Sequence, residues 1–179
     1  SKEIIQANLV KVFGQMPEVE RENILKFLGT VTIPATTEPF IAKDRFVEDT
    51  SDDAKVKISF IGDNFKEWFL GKTEKPILET ILRYQKLTQS SVDVLIIAEL
   101  GGEAKAETAL AQIFTLVELQ KNGEVGALLN NGYANVFYVR DTNNLLRAVR
   151  VDWHDDSWRV DAYSVEGPDR WREGGRVFS

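Results

Sequence analysis

The chain contains no cysteine. That absence excludes disulfides, thiolate metal ligands and cysteine nucleophiles together. It leaves the redox compartment open, because a chain of this size folds without bridges in either. Histidine occurs once, as His154, so a site with two imidazole ligands and any triad lacking His154 are excluded as well. No apolar run approaches the roughly 18–20 residues needed to cross a bilayer. The opening Ser1–Gln6 places a polar residue after each short apolar stretch, unlike a signal peptide, and the expected location is cytoplasmic. Positive charge is short too. The net charge of −6 lacks the basic surface that counterion release requires, so neither nucleic acid nor an anionic membrane is expected as a partner.

What is present suits a folded domain. The 179 residues are 43% hydrophobic and 28% charged, neither the low hydrophobicity nor the extreme charge of a disordered chain. A chain of this length buries enough surface to hold a core without staples.

Ile5, Leu9, Val12 and Phe13 recur at helical spacing, as do Val19, Ile24, Phe27 and Leu28, with Met16-Pro17 as the break and Gly29 as the stop. This predicts a helical pair over 1–29, followed over 30–54 by a Thr/Pro-rich and then acidic linker with one short strand around Phe40–Val47. Lys55–Ile61 alternates, with Val56, Ile58 and Phe60 on one face, and Phe65–Leu70 reads as its return strand after a turn at Gly62-Asp63-Asn64. Pro76 suits a helix start before Ile77–Leu87. Val92–Leu100 is nearly continuous apolar, the pattern of a strand covered on both faces. Glu103–Gln120 carries Leu110, Ile113, Phe114 and Val117 in a stripe and predicts a core helix about 27 Å long. The fold class is α+β: a mainly antiparallel sheet packed on that helix, in a domain over 55–179 that ends in a β-meander at 134–178.

The meander is the most informative stretch. Lysine is absent from position 122 onward, while Arg140, Arg147, Arg150, Arg159, Arg170, Arg172 and Arg176 all lie there. The planar guanidinium suits bidentate partners and aromatic stacking. If His154–Ser157 form a loop, Trp153 faces Trp158, Val151 faces Val160 and Val149 faces Ala162. The opposite face then sets Asp152 against Arg159 and Arg150 against Asp161, two complementary ion pairs. Placing Phe137 and Val139 on the same face as Val149 requires a loop of Thr142-Asn143-Asn144, with Asn144 left-handed. Tyr138, Ala148 and Tyr163 then form one row on the polar face, a shallow slot flanked by Arg150 and Arg140. Tyr138, Arg140, Arg150 and Tyr163 are therefore the candidate ligand residues. The plain alternative is a solvated face whose arginines already have carboxylate partners.

Other chemistry is weakly supported. His154, Asp155 and Asp156 are residue types that bind divalent metals, yet adjacent side chains at a loop tip seldom converge on one ion. Ser157 beside His154 lacks an evident oxyanion hole. Gly101-Gly102 between two regular segments resembles a phosphate turn, but the Walker lysine and a G-x-G-x-x-G pattern are missing and Glu99 and Glu103 flank it. Glu99, at the end of the apolar run, reads more simply as a strand-end residue reaching solvent than as half of a catalytic carboxylate pair.

The stretches KVKISFIGDNFKEWFLGKTEKP (55–76), IAELGGEAKAETALAQ (97–112), GYANVFYVRD (132–141) and GGRVFS (174–179) resemble a family of uncharacterised conserved proteins encoded by candidate-phyla bacteria with reduced genomes. The resemblance spans residues 55–179 and not the opening helices. It implies a chain that continues past the RVFS segment, and it implies no activity, cofactor or catalytic residue.

Two functions follow as expectations. One is a non-enzymatic binding module that uses the polar face of the meander for a carboxylate-bearing or sugar-like ligand, or for a protein partner, with no cofactor. The other is a hydrolase, with or without metal assistance, around His154, Asp155 and Asp156.

Overall fold

The computed structural model describes residues 23–179; the helix read from Ile5 to Phe13 lies outside the described residues. Along the chain come β1 (Leu25–Ile33), β2 (Phe40–Ile41), α1 (Ala42–Arg45), β3 (Ile58–Ile61), α2 (Asp63–Phe69), β4 (Thr73–Glu74) and β5 (Thr80–Leu87). They are followed by α3 (Asp93–Leu100), α4 (Glu103–Ala106), α5 (Leu110–Leu119), β6 (Asn135–Arg140), β7 (Leu146–His154), β8 (Ser157–Ser164) and β9 (Arg176–Phe178). Seven strands form one sheet in the order β1-β5-β9-β6-β7-β8-β3, parallel only where β9 meets β6 and β8 meets β3. The α+β class therefore holds, with a mostly antiparallel sheet.

The hairpins of the meander have the register their hydrophobic pattern demands. Trp153 pairs with Trp158, Val151 with Val160, Val149 with Ala162 and Ala148 with Tyr163. Phe137 pairs with Val149 and Tyr138 with Ala148. Asn144 is left-handed at φ 62°. The β7–β8 connection is tighter than a four-residue loop: His154 pairs with Ser157, and Asp155 at φ 57° makes the reversal. The last strand does not extend the meander. β9 crosses back to lie between β5 and β6.

Upstream, several elements change type. Leu25–Ile33, placed by its apolar spacing in a helix and a linker, is an edge strand paired with β5. Residues 40–45 hold a two-residue strand and one helical turn. Ile77–Leu87 is not a helix: Thr80–Leu87 forms a strand, because it finds ladder partners on both sides, in β1 and β9. Phe65–Leu70 is a helix instead of a strand: Phe65 and Phe69, one turn apart, are both fully buried. In β3 the pairing shifts between Ile58 and Phe60, so Ile61 is buried and Phe60 turns outward. Val92–Leu100 is also a helix. Ile96 and Ile97 are buried at helical spacing from Asp93, and Gly101 ends it in the left-handed region at φ 104°. The expected long helix is divided. Between α4 and α5 the chain turns aside so that Thr108 N–H donates to Tyr138 O at 2.7 Å, and the Glu74 carboxylate caps α5 by accepting from Leu110 N and Ala111 N at 2.9 Å each.

Both faces of the meander are covered. Phe137, Val149, Trp158 and Val160 join a core with Phe65 and Phe69 of α2 and Ile113, Phe114 and Val117 of α5. Val136, Tyr138 and Ala148 join a second core with Ile96 and Ile97 of α3 and Ala106 of α4. The face expected to be polar and open is thus the inner side of a second apolar layer.

Candidate functional site

The four candidate residues share that face and then part company. Tyr138 is completely buried, and its hydroxyl donates to Asp93 Oδ1 at 2.8 Å. Burial and the adjacent Asp93 charge push its phenol well above the usual tyrosine range. Arg140, at the far end of β6, has its guanidinium 3.4 Å from Glu103 and 3.5 Å from Glu107. Arg150 and Tyr163 remain together, and both line a cavity of about 500 Å³. The ion pairs differ from those expected. Arg150 Nε lies 2.9 Å from Asp152 Oδ1, along its own strand rather than across to Asp161, and the contact is too poorly aligned to be a hydrogen bond. Arg159 instead covers the Phe60 ring at 4.9 Å. Tyr163 donates to Asp161 Oδ2 at 3.3 Å. Burial and the Asp161 charge push its phenol up, and Arg150 opposes them.

The cavity lies where the Tyr138–Ala148–Tyr163 row meets the first turn of α3. Its roof is the connection from β8 to β9, carrying Asp169, Arg170, Trp171 and Arg172; Tyr133 and Ala134 form one side, and Asn64 and Trp68 of α2 reach it from another. The roof is fastened at Trp171. Ser91 and Trp171 exchange two backbone hydrogen bonds, of 3.2 and 2.8 Å, and Trp171 Nε1 donates to Asp93 Oδ1 at 2.6 Å. The Trp171 ring also packs edge-on to Tyr163 at 5.6 Å.

Asp93 is therefore the centre of the site. It is 4% exposed, its Oδ1 takes both the indole and the phenol, and among the described residues no donor reaches Oδ2. Burial raises its pKa, and the Trp171 and Tyr138 hydrogen bonds oppose that rise only in part. A reluctantly charged carboxyl in a cavity is the kind of group that ligand or proton chemistry uses.

Sequence reasoning missed Asp93, Tyr133, Trp171, Arg170 and Arg172. Asp93 carried a signal, since an aspartate ahead of an apolar run that ends in Gly-Gly marks a helix bounded at both ends. Reading the run as a strand concealed it. Nothing local connects Trp171 to Asp93.

The second candidate set lies elsewhere. His154, Asp155 and Asp156 occupy the exposed β7–β8 turn, with His154 Nε2 3.7 Å from Asp155 Oδ2. Among the described residues no group of three or more His, Asp or Glu side chains is gathered so as to hold a metal ion. Gly101-Gly102 is a helix stop at positive φ rather than a phosphate cradle, and Glu99 is occupied as the acceptor for Ile24 N and Leu25 N at 2.9 and 2.6 Å. Among the described residues no helix is long and apolar enough to cross a membrane. Comparison with protein-family models, with curated proteins and with solved structures finds no match for this chain.

Proposed function

We propose that the chain is a small-molecule binding module whose ligand, carboxylate-bearing or sugar-like, enters the cavity between the C-terminal meander, α3 and the β8–β9 connection. One observation carries this reading: Arg150 and Tyr163 border the same cavity as a buried carboxyl, Asp93, whose second oxygen has no donor among the described residues. The cavity volume lies in the range of about 300–1,000 Å³ common for small-ligand sites. Its lining combines aromatic surface from Trp68, Tyr133, Tyr163 and Trp171 with the polar groups of Asn64, Asp93 and Arg150. Aromatic rings supply contact area at low entropic cost, and a few fixed polar groups orient what they hold.

Two tryptophans face the cavity, so occupancy is readable by intrinsic fluorescence as well as by melting. A ligand at 100 times its dissociation constant stabilises the folded state by about 2.7 kcal/mol. Screening a metabolite library for compounds that raise Tm and perturb the fluorescence tests the reading. Hits should be lost in Arg150→Ala and in Tyr163→Ala while both variants keep the parent circular dichroism. Hits that bind both variants as well as the parent would place the ligand elsewhere.

A further inference from the structure

The cavity holds charges of both signs that do not neutralise one another. Among the described residues neither Asp93 nor Asp169 has a cationic group within ion-pair distance, and neither Arg170 nor Arg172 has a carboxylate. All four line the one cavity. The arginines are nevertheless held in place. Arg170 Nη1 donates to Ser90 O at 3.3 Å, and the Arg172 guanidinium lies 5.0 Å from the Tyr133 ring centroid. A guanidinium has five N–H donors in a fork, so neither anchor exhausts its capacity. Asp93 is fixed even more firmly, through Oδ1, with Oδ2 left over.

Building on the binding reading above, we infer that the ligand is a small zwitterion of the α-amino-acid class. Its ammonium group would meet Asp93. Its carboxylate would meet the Arg172 guanidinium, unpaired among the described residues, together with the outer end of Arg150, whose Nε already lies against Asp152.

The argument is one of complementarity. A simple anion would satisfy the arginines and leave a buried carboxylate without a counter-charge. A simple cation would do the reverse. A neutral sugar offers hydroxyls to both and neutralises neither. A molecule with both charges on neighbouring atoms answers both needs at once, and charge-assisted hydrogen bonds are the strong ones. The register brings the two ends of the site onto one face. Tyr138, which holds Asp93, faces Ala148, and Arg150 lies two residues further along that strand. Tyr138 and Arg150 are thus diagonal neighbours on the sheet, about 7–8 Å apart at the backbone. The rings of Trp171 and Tyr163 line the cavity beside these groups and give a side chain an aromatic surface to rest on. An ammonium group against their faces gains cation–π attraction as well.

The test is a titration of the intact chain, followed by tryptophan fluorescence and by Tm. The panel is the twenty α-amino acids, the N-acetyl and carboxamide derivatives of any that bind, glucose, galactose, succinate, inorganic phosphate and a general metabolite library. One or more free amino acids should bind, and blocking either the amino or the carboxyl group should weaken binding by at least about tenfold. Asp93→Asn keeps an acceptor for Tyr138 and Trp171 and should lose at least about tenfold in affinity for the free amino acid. Its affinity for the N-acetyl derivative should hardly change. Arg172→Gln changes an exposed loop side chain, so it leaves the fold intact, and should show the mirror pattern toward the carboxamide. Binding of sugars, phosphate or succinate without any amino acid would overturn the zwitterion and leave the binding reading standing. No response to any compound at millimolar concentration would overturn both.

Discussion

The Tyr138 hydroxyl lies 2.8 Å from Asp93 Oδ1, joining the middle of β6 to the first turn of α3. This contact converts a row of residues on one face of a meander into the floor of a covered cavity. Trp171 adds the roof by donating to the same oxygen. The site thus depends on a carboxyl group that the fold holds at some cost, and that cost is measurable.

Burial raises the Asp93 pKa above its ordinary value of 3.8, against the opposing hydrogen bonds from Trp171 and Tyr138. Between those two pKa values the folded chain binds more protons than the unfolded chain, so stability falls as pH rises. The contribution is fully present below about pH 3.8 and is lost as pH climbs through the raised value. Asp93→Asn keeps an acceptor and removes the titration. Its Tm relative to the parent should therefore increase from acid to neutral pH. A Tm series from pH 3.5 to 8 decides the point, and a parent that outlasts the variant equally at every pH contradicts the assignment.

Asp141 has the opposite sign. Its side chain is fully buried and takes Asn143 N at 2.8 Å, Leu145 N at 3.0 Å and Arg147 Nε at 2.8 Å. Burial alone would raise its pKa, but the Arg147 bond and charge together with the two backbone donors outweigh it and lower the value below 3.8. Stability from this group is present above that pH and is lost as pH falls through the depressed value. Asp141→Ala strands two backbone donors and, among the described residues, leaves the Arg147 guanidinium against the Trp68 ring, 3.9 Å away. The expected loss is about 2–4 kcal/mol at pH 7, shrinking in strong acid. Urea unfolding at pH 7 and pH 3 measures both parts.

The hairpins were legible because their constraint is local. A side-chain period of two, a turn of known length and two tryptophans leave one register for β7 and β8, and that register holds through Arg147 and Ser164. The upstream elements were not legible, for the reason that defeats periodicity in general. α3 exposes Val94 and Leu95 as well as burying Ile96 and Ile97, so it reads as apolar all round and gives no helical stripe. β5 carries a pattern that either structure would fit, and its two neighbours in the sheet, 47 to 62 positions away at β1 and 90 to 94 at β9, decide the outcome. The cavity suffers from both difficulties. Arg150 and Tyr163 could be placed from the register, whereas Asp93 and Trp171 meet only after the sheet has closed.

The β6–β7 turn offers a cleaner test of local chemistry. Asn144 stands at φ 62° and its N–H donates to Asp141 O at 3.0 Å. Asparagine tolerates this region, glycine prefers it, and a β-branched residue is strained there. Asn144→Gly should leave Tm within a degree or two of the parent, while Asn144→Val should cost about 1–2 kcal/mol. Equal melting of the two variants would mean that the turn changes conformation to accommodate valine.

Gly174 links backbone geometry to the cavity wall. It stands at φ 95°, and a Cβ there would lie 2.7 Å from Cε2 of Tyr133. Tyr133 lines the cavity and carries Arg172 over its ring at 5.0 Å. Gly174→Ala therefore brings two separate penalties, backbone strain and displacement of a side chain that belongs to the site, together about 1–3 kcal/mol. Gly71 is the control, since it stands outside the cavity lining and its added Cβ would make only an ordinary contact, 3.9 Å from Thr142 Cγ2. Gly71→Ala should stay within about 0.5 kcal/mol. If Tyr133 and Arg172 act on the ligand, Gly174→Ala should also weaken binding at a temperature where the variant remains folded, and Gly71→Ala should not. Strain by itself lowers Tm without touching affinity, so a melting point that drops while the dissociation constant stays put would remove the Tyr133 side of the cavity from the binding surface.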